Sequence, residues 1–262
     1  GWASDDDTDY DTDGCQDIDE DDDDDNDNVI DDNDSSQFNS YVCSDTDTDG
    51  CEDCSIDSDL DGVGDYSPED DGVDGDGDGM CDIGDVDLNL HYGANAISFY
   101  ALPSDGLHSV ENIFGDEGTV AKVFGEGQIA YQHPDAGWVG ALTDVDASDG
   151  YWAISINTSD SGHNLQVSGY PTGAVEYVVH PGNNFLSYSY SQSQSLDTAL
   201  PSIAFDNTSY IYGEGVSAIK NDDGDWVGSL DGFQGGAGYW FGASDNFVFS
   251  YTPPNTGLGR FV

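Results

Sequence analysis

The stretch Asp74-Gly-Asp-Gly-Asp-Gly-Met-Cys-Asp-Ile-Gly-Asp85 places carboxylates at positions 1, 3, 5, 9 and 12 of a twelve-residue loop, with Gly79 at position 6. Carboxylates at that spacing converge on one point if the backbone turns sharply at position 6, and position 7 adds its carbonyl, here that of Met80. The chemistry this suits is oxygen-only coordination of a hard divalent cation, calcium above all. A single match carries little weight in a chain with 55 acidic residues. The recurrence of the pattern carries the reading.

A first loop has Asp9, Asp11, Asp13, Gly14, the Cys15 carbonyl, Asp17 and Glu20, and is complete. A second has Asp23, Asp25, Asp27, the Val29 carbonyl, Asp31 and Asp34, with Asn28 at position 6, the residue after Gly most tolerant of a left-handed backbone. The third runs Asp45, Asp47, Asp49, Gly50, the Cys51 carbonyl and Asp53, with Ile56 where a last ligand belongs. The fourth runs Asp57, Asp59, Asp61, Gly62, the Val63 carbonyl and Asp65, with Pro68 at position 12. Asp57 and Glu69, one residue further on, are candidate substitutes in these two. The fifth is Asp74, Asp76, Asp78, Met80, Asp82 and Asp85. The expectation is about five calcium sites, one per loop.

The loops begin at residues 9, 23, 45, 57 and 74, too close for the flanking helices of EF-hands. Abutting loops of this kind over residues 5–87 resemble thrombospondin type 3 repeats, in which the chain wraps a string of calcium ions. The run Cys43-Ser-Asp-Thr-Asp-Thr-Asp-Gly-Cys-Glu-Asp-Cys54, followed by Asp76-Gly-Asp-Gly-Met-Cys-Asp82, is similar to the form found in large secreted bacterial surface proteins. The resemblance implies calcium-dependent order, a spacer role and no catalysis. The odd number of cysteines departs from it.

Charge divides the chain. Residues 1–89 hold 36 of the 55 acids and no Lys or Arg; the only basic residues are Lys122, Lys220 and Arg260. Five aromatics precede residue 90 and 26 follow it. The first part has little to bury and needs cations to fold; the second has ample core material. A formal charge of -52 excludes nucleic acid and anionic membrane as partners, and no apolar run suits membrane insertion. Cys43, Cys51, Cys54 and Cys81 are expected to form two disulfides, which implies an oxidising, extracellular or cell-surface location. Three pairings are open, and Cys43–Cys51 with Cys54–Cys81 is the one expected. Cys15 is then left over, free or bonded to another chain. Zinc at Cys51 and Cys54 is the rival reading. Asn157 and Asn207 lie in glycosylation sequons. The chain starts at Gly1 without Met or leader, as a processed protein or a fragment does.

Residues 90–262 contain one unit written twice. Gly125-Glu-Gly, Trp138-Val-Gly and Gly150-Tyr-Trp return at Gly213, Trp226 and Gly238, and His91-Tyr-Gly-Ala-Asn95 returns as His180-Pro-Gly-Asn-Asn184. Alternation at Leu186, Tyr188 and Tyr190, and at Phe247, Phe249 and Tyr251, predicts strands; short helices are predicted at 109–114 and 195–200. The fold class is mainly β. An irregular calcium-wrapped region at 1–89 precedes two repeats, 90–179 and 180–262, packed as one sandwich-like body through their aromatic sides. The repeated motifs resemble a β module appended to secreted bacterial surface proteins.

Glu126 and Glu214 are weighed as a glycosidase pair, but their equivalence favours carboxylates bonding amides of their own turns. His91 and His180 read as structural. Trp138, Trp152, Trp226 and Trp240 are expected to anchor the core rather than form a glycan platform. The chain therefore reads as a non-enzymatic, calcium-stabilised extracellular structural protein that polymerises head to tail. Its own Gly1–Ser4 segment or the tail after Pro253-Pro254 would pair with a neighbour's sheet edge. The alternative is an adhesin or carbohydrate-binding module.

Overall fold

A computed structural model describes residues 10–11, 15–17, 21–56, 63–72, 81, 84–103, 107–115, 119–158 and 162–254. Two compact units divide the chain, Gly1–Gly84 and Asp85–Val262. The boundary falls at Gly84 rather than residue 89 because Asp85–Leu90 is already a strand of the second unit.

The described residues of the first unit form turns and bends with no helix or strand. Its apolar cluster is Val29 against the Cys43–Cys54 disulfide. Among the described residues so small a cluster leaves covalent links and side-chain-to-backbone bonds as the main ordering contacts.

Among the described residues the second unit is antiparallel β with three short helices. Its first repeat contains β1 (Asp85–Leu90), β2 (Gly93–Ile97), β3 (Ala101–Leu102), α1 (Val110–Phe114), β4 (Val120–Gly125), β5 (Gln128–His133), β6 (Gly137–Gly140), β7 (Tyr151–Ser155), β8 (His163–Ser168) and β9 (Tyr170–Pro171). The second contains β10 (Tyr177–Val179), β11 (Gly182–Leu186), β12 (Gln194–Ser195), α2 (Leu196–Ala199), α3 (Ser202–Asn207), β13 (Thr208–Gly213), β14 (Val216–Lys220), β15 (Trp226–Gly228), β16 (Gly232–Phe233), β17 (Tyr239–Ala243) and β18 (Phe247–Phe249). Each repeat builds a five-stranded sheet in the same order, β2-β7-β4-β5-β6 and β11-β17-β13-β14-β15. Strands β1 and β8 pair apart from the first sheet, as β10 and β18 do apart from the second.

Both helices expected from sequence form. Ser109 caps α1, its hydroxyl accepting from the Asn112 amide. Helix α3 was not expected; it starts directly after Pro201, whose fixed φ suits a helix entry.

The repeats keep separate cores rather than one shared aromatic core. The first is aliphatic with Phe99, Phe114 and Tyr151. The second is aromatic, with Tyr188 stacked on Phe233 and Tyr251 edge-on to both. The four tryptophans lie at the margins, each half-buried. Trp138 donates its indole N–H to the Gly115 carbonyl (2.8 Å) and packs on Phe114. Trp226 packs edge-on to Phe205, with the Lys220 ammonium over both rings. Trp152 and Trp240 lie against Phe185 at 5.9 and 4.5 Å between ring centres.

Phe185 belongs to the second repeat and Trp152 to the first, so this aromatic group joins them. Around it the backbones exchange bonds in matched pairs. The Gly150 amide donates to the Phe185 carbonyl and the Gly238 amide to the Ala96 carbonyl. Ser98 Oγ donates to the Ala237 carbonyl, as Ser187 Oγ does to that of Ala147. The glycine of each Gly-Tyr-Trp motif sits at this contact: a Cβ would meet the Phe185 ring at 2.7 Å from Gly150, and the Ile97 carbonyl at 2.6 Å from Gly238.

The Gly-Glu-Gly motifs close the β4–β5 and β13–β14 hairpins, with Gly127 and Gly215 at φ of 72° and 70°. Their glutamates do not bond their own turns. Each reaches the other repeat: Glu126 Oε1 lies 2.8 Å from His180 Nε2 and Oε2 accepts from the Phe185 amide, while Glu214 Oε1 lies 2.5 Å from His91 Nε2 and Oε2 accepts from the Ala96 amide. Asn95 and Asn184 hold the two histidine turns, each accepting from the histidine amide and donating to its carbonyl. Each imidazole Nδ1 faces a backbone carbonyl and each Nε2 a carboxylate, all acceptors. Only the imidazolium donates at both nitrogens. The bond to Glu214 raises the pKa of His91 first, helped by the Tyr92 carbonyl; for His180 the Pro181 carbonyl leads and Glu126 follows.

Removing both carboxylates should therefore loosen the repeat interface. At about 1 kcal/mol per lost carboxylate in this exposed setting, Glu126→Ala with Glu214→Ala should lower the Tm of the β unit by roughly 4–8 °C. A histidine pKa raised on folding stabilises fully below its unfolded value near 6.5 and is lost as pH rises through the folded one. The gap between wild type and the double variant should thus be wider at pH 6 than at pH 8.5. Differential scanning calorimetry checks both; an equal gap at the two pH values rules out the imidazolium.

Candidate metal centre

Loops two and three share one backbone conformation, twenty-two residues apart. Asn26 and Thr48 at position 4 have φ of 60° and 63°; Asn28 and Gly50 at position 6 have φ of 73° and 91°. Left-handed backbone costs a β-branched residue such as Thr48 of order 1 kcal/mol or more, so surrounding bonds must hold it. Those bonds repeat too. The position-6 amide donates to the position-1 carboxylate (Asn28 to Asp23, 3.1 Å; Gly50 to Asp45, 3.2 Å). The position-7 amide donates to the position-5 carboxylate (Val29 to Asp27, 2.8 Å; Cys51 to Asp49, 2.9 Å). The position-2 amide donates to the position-9 carboxylate in loops one, two and three: Tyr10 to Asp17, Asp24 to Asp31 and Thr46 to Asp53. The position-9 amide returns to the residue preceding the loop, as Asp31 to Asp22, Asp53 to Ser44 and Asp65 to Ile56.

These bonds gather the acids. Oxygens of Asp23, Asp25 and Asp27 lie within 4.8 Å of one another, as do those of Asp45, Asp47 and Asp53. Asp25 is 4% exposed, and neither of its carboxylate oxygens has a partner. Asp27 is fully buried with Oδ2 unpartnered. Burial, then Asp27 and Asp34 nearby, pushes the Asp25 carboxyl up to about 7; burial and Asp34 push Asp27 up to about 6. Asp34, at position 12, is thus electrostatically part of loop two. Asp23 and Asp45 are also raised, chiefly by burial.

The donor set is oxygen only. Cys43 bonds Cys54 and Cys51 bonds Cys81, so no thiolate remains at these positions for zinc. The four cysteines are the expected ones, but the pairing expected from sequence, Cys43–Cys51 with Cys54–Cys81, is incorrect. Loop three closes through the Asp53 amide on the Ser44 carbonyl, which sets Cys43 beside Cys54. The Cys81 amide meets the Asp49 carbonyl at 2.8 Å, which sets it beside Cys51.

Asp11 of loop one accepts from the Asn26 side-chain amide of loop two. Cys15, Val63 and Asp65 are described, and Asp85 lies in β1, its carbonyl accepting from the Tyr100 hydroxyl. Asp9, Asp13, Glu20, Asp57, Asp59, Asp61, Asp74, Asp76, Asp78, Met80 and Asp82 lie outside the described residues, as do residues 1–4 and 255–262. The side-chain amides of Asn157 and Asn207 donate to the Gly162 and Ile203 carbonyls.

Three acids fell outside the twelve-residue pattern. Asp24 is buried beside Asp31 and Asp17, and its carboxyl is pushed up to about 6. Glu52 is raised by burial and by Asp45, with Oε2 unpartnered. Asp71, 3% exposed, is pushed up to about 6 by burial and by Asp49. In so acidic a sequence only the fold distinguishes them from solvated neighbours.

In the β unit a groove of about 650 Å³ is bounded by the His91–Glu214 pair together with Asp87, Asp231 and Gln234. Comparison with protein-family models, with curated proteins and with solved structures returned no match.

Carboxyls raised on folding bind protons more tightly in the folded state, so without metal the first unit should lose stability as pH rises from about 4 through 7. In the presence of a chelator, amides of residues 21–56 should gain protection on acidification from pH 7.5 to pH 5. Hydrogen exchange corrected for intrinsic rates measures this, and unchanged or reduced protection at pH 5 contradicts it.

Proposed function

We propose that the first unit is a calcium-ordered segment, similar to thrombospondin type 3 repeats, of an extracellular structural protein. The observation that carries this reading is Asp25, buried beside Asp23, Asp27 and Asp34 with both oxygens unpartnered. No Lys or Arg lies in residues 1–84 to neutralise it. Carboxylate and carbonyl oxygens on a flexible loop suit calcium, which accepts 6–8 such donors at about 2.3–2.6 Å; magnesium demands tighter octahedral geometry and holds its waters. The residues that would hold the ion in loop two are Asp23, Asp25, Asp27, the Val29 carbonyl, Asp31 and Asp34. In loop three they are Asp45, Asp47, Asp49, the Cys51 carbonyl and Asp53. The bound ion supplies charge neutralisation and cross-linking.

The β unit fits a structural, non-catalytic role. Glu126 and Glu214, the carboxylates best placed in the sequence for glycoside chemistry, are each bonded to a histidine and an amide of the opposite repeat. Strands β6 and β15 are sheet edges, and Val227 on β15 is half exposed. Such edges accept a further strand from another copy, the contact a head-to-tail filament needs.

Excess EGTA should abolish the protease resistance of residues 21–56 and leave the β unit folded, and millimolar calcium should restore it where equal magnesium does not. Resistance unchanged by EGTA overturns the calcium reading. Electron microscopy of the purified chain in millimolar calcium should show filaments; dispersed particles at high concentration overturn the assembly reading alone.

A further inference from the structure

Loop three lacks a position-12 ligand, since Ile56 occupies that place. The geometry points to Asp71, from the segment following loop four, as the carboxylate that completes the metal site of loop three. This inference rests on the proposal that the unit binds calcium, and concerns which residue supplies the last ligand.

Asp71 is 3% exposed, and its Oδ2 has no hydrogen-bond partner. That atom is not turned to solvent or to a donor. An oxygen of its carboxylate lies within 4.8 Å of an Asp49 oxygen and of both sulfurs of the Cys51–Cys81 bridge. Asp49 is position 5 of loop three, and Cys51 offers the position-7 carbonyl. The charges that bear on Asp71 most strongly are those of Asp49, Asp47 and Asp53, all candidate ligands of that loop.

Three features hold the segment in place. The Asp71 carbonyl accepts from the Ser55 hydroxyl, directly before Ile56. Gly72 packs on the disulfide so closely that a Cβ would lie 1.9 Å from Cys81 Sγ and 2.1 Å from Cys51 Sγ. The Ser67 amide donates to the Asp53 carbonyl, tying the chain before Asp71 to position 9 of loop three. The disulfide and the absent side chain at Gly72 thus bring a distant acid beside position 5 of a loop whose own position 12 is isoleucine. A buried carboxylate with an unpartnered oxygen, beside the Asp49 carboxylate, is a costly arrangement unless a cation takes that oxygen.

The test counts ions on the full chain by native mass spectrometry during a calcium titration, comparing wild type with Asp71→Asn, Asp71→Glu and Asp25→Asn. Asp71→Asn should lose one ion from the saturated count, or bind it at least tenfold more weakly. The ion lost in Asp25→Asn, that of loop two, should remain. Asp71→Glu should recover much of the lost affinity. An unchanged titration of Asp71→Asn overturns the inference. So does simultaneous loss of both ions from Asp71→Asn, which would make the residue a folding determinant rather than a ligand. Wild type binding no calcium at all fails the underlying proposal instead, and is seen before any variant is compared.

Discussion

Carboxylates held side by side without a counter-charge set the terms for the N-terminal unit. Oxygens within 4.8 Å repel by at least about 3.5 kcal/mol per ionised pair at an effective dielectric of about 20. Amide donors from positions 2, 6 and 7 offset part of this, because a carboxylate accepting backbone N–H groups is stabilised as the anion. The donors require left-handed backbone at positions 4 and 6, which Asn and Gly tolerate and Thr48 does not readily. The bonds do not reach Asp25, whose oxygens stay unpartnered. The proposed calcium ion would relieve what remains, and among the described residues the apolar cluster of the unit is no more than Val29 and one disulfide.

The β unit solves a different problem. Two copies of one sequence must recognise each other rather than close independently. Equivalent elements facing each other form the polar contacts in matched pairs, so His91 with Glu214 and His180 with Glu126 are one interaction repeated. Each glutamate also takes an amide at the edge of the opposing sheet, which removes a donor from a strand that would otherwise present it to solvent. The repeats have drifted elsewhere. One core is largely aliphatic and the other aromatic, and Asp149 in the first is matched by Ala237 in the second. Burial, with Asp146 and Glu126 nearby, pushes the Asp149 carboxyl up to about 6.

Much of this was legible in the residues. Short-range geometry is encoded by spacing: Asn28 and Gly50 take the left-handed backbone that a position-6 turn demands, and Asp23, Asp25 and Asp27 converge because a turning loop brings alternate residues to one side. The helix at Val110–Phe114 follows from its Ser109 cap, and the hairpins from their Glu-Gly turns. The usual burial of tryptophan predicts core positions for Trp138, Trp152, Trp226 and Trp240, yet these four side chains stop at core margins, where an indole N–H such as that of Trp138 can reach a carbonyl.

The sequence by itself determined the turns of the acidic loops, the division into an acidic and a β unit, the β class and the duplication, because each is a property of neighbours or of a repeated register. Tertiary structure alone decided the partners. Which cysteine meets which depends on loop three closing at Ser44 and Asp53, and Cys51 finds Cys81 thirty residues away. The Gly-Glu-Gly glutamates, locally indistinguishable from turn residues, find histidines 54 and 123 residues distant. Asp71 is one acid among many until a disulfide and a bare glycine carry it to loop three. Contacts between distant segments depend on how the whole chain packs, and no local spacing encodes that.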